Sequence, residues 1–293
     1  MEQQTETNPA SKFSGWDLAR GNGRGGTGDW GAFDGNMERI QIAADGWKKQ
    51  TQGASKLWLC WCVNDRWCQL QQRTVAELGF TPVVGWDPAC TIDRPTILPG
   101  SIGIDFNAGL GYTAMWPHFP MEFTFLWADK VAFWHSDLLV RMSKLEKIGL
   151  IFDKLKQGEM AAVKSTGGLK NIFKFKQHRY WELIGCTTKE ASQLQYDNGC
   201  GWWRPFRLHP NTPEDEKVFR EEHNWDHGAG IMYWKRYFHG KVIDINERYV
   251  SEGHYSITSV KNYKKADSKS DEIDINFDLN ACASKLGLSR FVY

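Results

Sequence analysis

Apolar residues come along this chain in short dense runs, each closed by an acid, an amide or a glycine. LWLCWCV (57–63) is continuous and stops at Asn64-Asp65, the pattern of a strand buried on both faces. Residues 66–79 have helical spacing and close at Gly79, and TPVVGWD (81–87) is a second short strand ending in an acid. This β-α-β order predicts a parallel sheet with right-handed crossovers. KVAFWHSD (130–137) reads as a later strand of that sheet, SDLLVRMSKLEKIGLIFDKLKQGE (136–159) as a helix, and MAAVKS (160–165) as a further strand. Helices are also expected at 37–53, 188–198 and 212–222, the last opening on Thr-Pro and acids. GIMYWKRYFHGKVIDI (230–245) predicts a helix, a glycine break and a strand. The fold class expected is therefore α/β, with a mostly parallel central sheet flanked by helices.

In open sheets of this kind the ligand crevice lies at the carboxyl ends of the strands. Asn64, Asp65, Asp87 and Asp137 all fall at such ends. Asp137 stands out, because His135-Ser136-Asp137 interrupts an apolar segment, and an ionisable pair there is costly unless something uses it.

Composition narrows the picture. A formal net charge of +1 gives no whole-protein field to draw in nucleic acid, although local lysine runs at 170–176 and 261–269 remain. No apolar run approaches the ~18 residues of a membrane span, and no signal peptide is read at the start. The seven cysteines are odd in number and irregularly spaced, and Cys60-Trp61-Cys62 lies inside an apolar run. Small buried thiols in a reducing, cytoplasmic compartment are expected rather than a zinc knuckle. His209, His223 and His227 fit no common zinc spacing. With 15 Trp, 16 Phe and 9 Tyr, the aromatic load serves either packing or stacking on sugars and bases. Residues 1–50 read as a glycine-rich, partly disordered arm, 51–258 as the main domain, and 259–293 as a tail packed on the body.

Three blocks in order carry a resemblance. The first is β-α-β closing on Asn64-Asp65 and Asp87. The second is VAFWHSD, where a strand closes on an Asp-x-Asp-like motif with His135 in the first acid's place. The third is YDNGCGWW (196–203), then WDHGAGIMYWKRYFHGKVIDI (225–245) and EGHYS (252–256). Over roughly residues 56–256 the chain resembles the GT-A glycosyltransferases, nucleotide-sugar-dependent enzymes with a Rossmann-like fold, and most of all their inverting family 2 branch.

The resemblance implies a metal-dependent transfer of a sugar, from a nucleotide-diphosphate donor such as a UDP-sugar, to an acceptor hydroxyl with inversion. Asn64, Asp65, Asp87, His135 and Asp137 would bind the donor. Asp137 and His254 would hold Mn²⁺ or Mg²⁺, whose charge steadies the departing diphosphate. Asp226 would be the base, and Trp202, Trp203, Glu182 and His227 would face the sugar or acceptor. Blander readings stand beside these. Asp137 and Asp226 each have the chemistry of a helix cap, and the tryptophans that of core residues. Two other functions compete: glycosylation of a hydroxylated base in DNA, with the lysine runs as phosphate contacts, and a non-catalytic module binding a glycan or nucleotide sugar. A glycan or small molecule is the default acceptor.

Overall fold

A computed structural model of the chain describes residues 36–88, 92–112, 115, 117–164, 180–200, 202, 227–253 and 278–292. Within them, strands β1 (Leu57–Trp61), β2 (Thr81–Trp86), β3 (Ile102–Asp105), β4 (Lys130–Trp134), β5 (Glu159–Lys164), β6 (Tyr180–Thr188) and β7 (Lys241–Asn246) make one sheet in the order β3-β2-β1-β4-β6-β5-β7. β1 is parallel to both of its neighbours, β2 and β4, and β2 is parallel to β3. β6 runs antiparallel to both β4 and β5, while β7 is parallel to β5. This mostly parallel α/β sheet is compatible with a Rossmann-like fold.

The continuous apolar runs follow from that arrangement. Alternate residues of each strand feed opposite faces. Leu57, Leu59, Trp61, Val131, Phe133, Met160 and Ala162 enter one core. Trp58, Cys60, Cys62, Ala132, Trp134, Ala161 and Val163 enter the other. A strand covered on both faces cannot alternate with polar residues, hence the unbroken hydrophobicity of 57–63. Helices α1 (Met37–Gln50), α4 (Thr124–Trp127), α6 (Lys189–Asp197) and α7 (His227–Tyr237) line the first face; α2 (Asp65–Glu77) and α5 (Met142–Lys154) line the second. The short α3 (His118–Glu122) precedes α4.

Several elements depart from expectation. α1 buries Ile40, Ala44 and Trp47 in the first core and so packs on the sheet. The helix expected over 136–159 is confined to 142–154, because residues 135–141 form the turns of the site. β3, α3 and α4 have no counterpart among the expected elements. Near the end of the chain, α8 (Leu279–Lys285) and the 3₁₀ turn Ser289–Phe291 make a third cluster with Trp67, Leu70 and Leu139. The helix expected at 212–222, both lysine runs and residues 1–35 lie outside the described residues. Among the described residues, no helix is long and apolar enough to cross a membrane. Cys60, Cys62, Cys68, Cys186, Cys200 and Cys282 are free thiols, and all but Cys282 are buried.

Candidate functional site

From β1 the chain steps outward through β2 to β3, then returns to the other side of β1 as β4. The direction of winding reverses between β1 and β4, and the carboxyl ends of two such strands bound a natural crevice. Leu59 lies opposite Phe133, so the residues after β1 and those after β4 emerge on the same edge.

Past β1, Asn64 is the N-cap of α2: it is extended, and its side chain accepts from Trp67 N at 3.0 Å. Asp65 sits in the first helical turn, where a carboxylate is favoured by the helix dipole. It accepts from Thr96 N at 2.6 Å and Thr96 Oγ1 at 2.8 Å, and so fixes the loop before β3. Asp87, past β2, is fully buried and accepts from Asn107 Nδ2 at 3.0 Å and from Met115 N. Asn107 in turn binds both Tyr112 N and Tyr112 O. Asp87 thus ties Asn107 and Met115 to the end of β2.

Past β4 the picture is different. His135 Nδ1 lies 2.8 Å from Asp137 Oδ1, and its Nε2 lies 3.8 Å from Glu182 Oε1. Antiparallel β6 delivers Glu182, since Trp134 pairs with Ile184 and His135 N donates to Leu183 O at 2.8 Å. The His135–Asp137 pair and Glu182, singled out at separate places in the sequence, therefore meet. Asp137 is 1% exposed, Glu182 15% and His135 30%. Burial pulls the imidazole's pKa down, but the Asp137 and Glu182 carboxylates more than offset it and push it up to about 10. The 2.8 Å contact to the His135 ring is one interaction that offsets the cost of burying Asp137. Asp137 does not cap the next helix: α5 starts five residues later and has no side-chain cap.

The turn is braced from two directions. Gln71 of α2, fully buried, donates through Nε2 to His135 O at 2.9 Å and to Leu138 O at 3.0 Å. On the other side Leu139 N donates to Gly253 O at 2.9 Å. Glu252 joins Lys144 at 2.6 Å and Arg141 at 3.4 Å, and these pairs together hold its carboxyl below the usual range.

The remaining expected residues are placed as follows. Trp202 is 3% exposed and packs edge-on to Phe133 at 4.5 Å, in the first core. His227 begins α7, but its side chain, together with Trp203, Asp226 and His254, lies outside the described residues. A cluster that sequence reading passed over sits at the carboxyl ends of β5 and β7. Lys164 and Lys235 each approach Asp244 at 2.9 Å, and Lys235 donates to Tyr180 Oη at 2.6 Å. Burial lifts the Asp244 carboxyl, yet hydrogen bonds from Tyr180, Lys235 and Lys164 outweigh it and bring it down to about 2. The only available signal was an acid and a lysine at exposed positions of strand-like runs, which surfaces supply everywhere.

Asp137 and Glu182 approach opposite nitrogens of the His135 ring, so the three side chains do not converge on one point. Among the described residues, no group of three or more His, Cys, Asp or Glu is arranged to hold a metal ion. The ligand pair expected from the sequence is Asp137 with His254, and His254 lies outside the described residues. Compared with known proteins, the chain matches no family model, no curated protein and no solved structure.

Proposed function

We propose that the protein is a glycosyltransferase of GT-A type, moving a sugar from a nucleotide-diphosphate donor to an acceptor hydroxyl with inversion. The observation that carries this reading is the meeting of His135, Asp137 and Glu182 at the carboxyl end of β4, beside Asn64 and Asp65 past β1, at the point where the sheet reverses its winding. Ionisable groups clustered at that edge are a costly arrangement that a ligand site explains. The nucleoside lies over the end of β1, and the diphosphate over the end of β4.

The reaction breaks the bond between the anomeric carbon and the diphosphate oxygen, and that oxygen keeps the electron pair. The acceptor oxygen attacks from the opposite face and forms the new bond. Its proton passes to a carboxylate, the part assigned to Asp226 from the sequence. A UDP-sugar is the donor of choice and a glycan or small molecule the acceptor.

Thermal shift tests the donor half directly. Millimolar UDP, or another nucleoside diphosphate from a panel, should raise the melting temperature by mass action, and Asp137→Asn should lose that rise. A panel in which no nucleoside diphosphate protects the folded protein sinks the reading. Asp226→Asn should bind the donor normally and fail to transfer; full activity in that variant removes Asp226 as the base.

A further inference from the structure

An in-line displacement sets leaving oxygen, anomeric carbon and acceptor oxygen in a row. With the nucleoside over β1 and the diphosphate over β4, the acceptor comes over the next strands of the same edge, β6, β5 and β7. Neighbouring strands stand about 4.8 Å apart, so β5 lies about 10 Å beyond β4, a gap that one sugar ring bridges. The residues gathered there are Lys164 at the end of β5, Tyr180 at the start of β6, Asp244 of β7 and Lys235 of α7. Resting on the function proposed above, we propose that the acceptor carries an anionic group, a carboxylate or a phosphate, and that Lys164 receives it.

Counting donors shows which side chain is available. An ammonium group has three N–H donors and no acceptor. Lys235 directs its three to Tyr180 Oη at 2.6 Å, Asp244 Oδ1 at 2.9 Å and Val242 O at 3.3 Å. Tyr180 in turn donates to Asp244 Oδ1. Among the described residues, Lys164 donates to one partner, Asp244 Oδ2 at 2.9 Å, and its side chain is 44% exposed. Two of its N–H groups are therefore left for a ligand. Asp244 holds the two ammonium groups through separate oxygens, and two lysines on one carboxylate leave the group at +1. A lone surface lysine must be immobilised when it binds, whereas one already held in place gives up less freedom.

The start of β6 ties this cluster to the site after β4. Ala162 pairs with Gly185, yet Val163 pairs with Trp181, so residues 182–184 bulge out of the ladder with β5. Bulges of this kind re-aim side chains beside active sites. Tyr180, before the bulge, joins Asp244, and Glu182, within it, approaches His135. One strand thus places a positive cluster beside the acids of the candidate crevice. An acceptor with a negative group is drawn to the Lys164 side of that edge, and its hydroxyl is left to face the sugar.

The test is an NMR titration of the full-length protein, saturated with whichever nucleoside diphosphate protects it, using glucose 6-phosphate and glucose as matched probes. Glucose 6-phosphate should bind roughly fivefold more tightly than glucose, the size of an exposed ion pair, and added salt should erase the difference. In Lys164→Gln the two probes should bind alike, and Lys164→Arg, which keeps the charge, should restore the preference. No preference in the wild-type chain, or one that survives in Lys164→Gln, overturns the proposal and leaves the glycosyltransferase reading standing. So does a preference that Lys164→Arg fails to restore. Loss of nucleoside diphosphate binding in Lys164→Gln would put the donor on this lysine and overturn its assignment to the acceptor. A panel in which no nucleoside diphosphate binds removes the glycosyltransferase reading, and the proposal with it. Should the variants fail to fold, the wild-type preference and its salt dependence decide.

Discussion

Asp137 is 1% exposed with the His135 ring 2.8 Å away, and this pair links stability to pH with a definite sign. The imidazole is raised from its ordinary 6.5 to about 10 in the folded chain, so the fold binds a proton that the unfolded chain releases earlier. The stabilisation is full below about pH 6.5 and is lost as pH rises toward about 10. Urea unfolding across that window should show a falling midpoint, and His135→Gln should flatten the fall; an unchanged slope would mean the ring is not charged in the fold. Removing Asp137 leaves the imidazolium without its nearest partner. Asp137→Ala should cost about 3 kcal/mol, at the low end for a broken buried pair because His135 is partly exposed and can shed its proton. Equilibrium unfolding at pH 6 and pH 9 checks this, with the larger loss expected at pH 6.

Elements meet at the turn after β4, and glycine is required where they meet. A side chain at Gly253 would run into the carbonyl oxygen of Leu139, a backbone atom with no room to yield. At Gly79 the added atom meets nothing within 4 Å, and only the positive φ of +77° opposes it. Gly253→Ala should therefore cost about 2–3 kcal/mol as a steric intrusion, against about 1 kcal/mol for Gly79→Ala. Comparing the two denaturation midpoints isolates packing from backbone preference; equal losses would show that the Gly253–Leu139 contact is not tight in solution. This junction also shows where sequence reading stops. The apolar runs announced β1, β2 and β4 because strands buried on both faces leave no polar positions to confuse the pattern. They could not announce that residues 135–141 would turn instead of continuing into a helix. That turn depends on Gln71, sixty-four residues upstream, and on Gly253, far downstream. β3 was missed because IGID is four residues long and only Ile104 is buried.

Across the whole molecule, the candidate site is legible to the extent that it is topological. Asn64, Asp65, His135 and Asp137 could be placed past the ends of β1 and β4 because strand ends can be read from where apolar runs stop, and the β-α-β order made neighbouring strands parallel. Asp87 met the same criterion and is buried against Asn107 and Met115, since a strand end does not say whether its acid faces the crevice or the core. The partnership of Glu182 with His135 was out of reach, because nothing in RYWELIGCTT reports that β6 enters the sheet antiparallel, between β4 and β5. The same distance in sequence separates the site from the cluster of Leu279, Ala283, Leu286 and Phe291, which packs on Trp67, Leu70 and Leu139. That cluster covers the flank of α2 and the turn after Asp137 together. Leu286 is fully buried and also borders Gly253, so it bears on both braces of the turn. Leu286→Ala removes apolar volume that its neighbours cannot all refill, and should cost about 3 kcal/mol of global stability. The effect should also be local. The Leu139 amide, held by Gly253 O at 2.9 Å, should exchange with solvent faster relative to the strand β1 amides than in the wild-type chain. Hydrogen exchange that rises uniformly over the fold, with no added loss at Leu139, would show that the terminal cluster stabilises the protein without positioning the site.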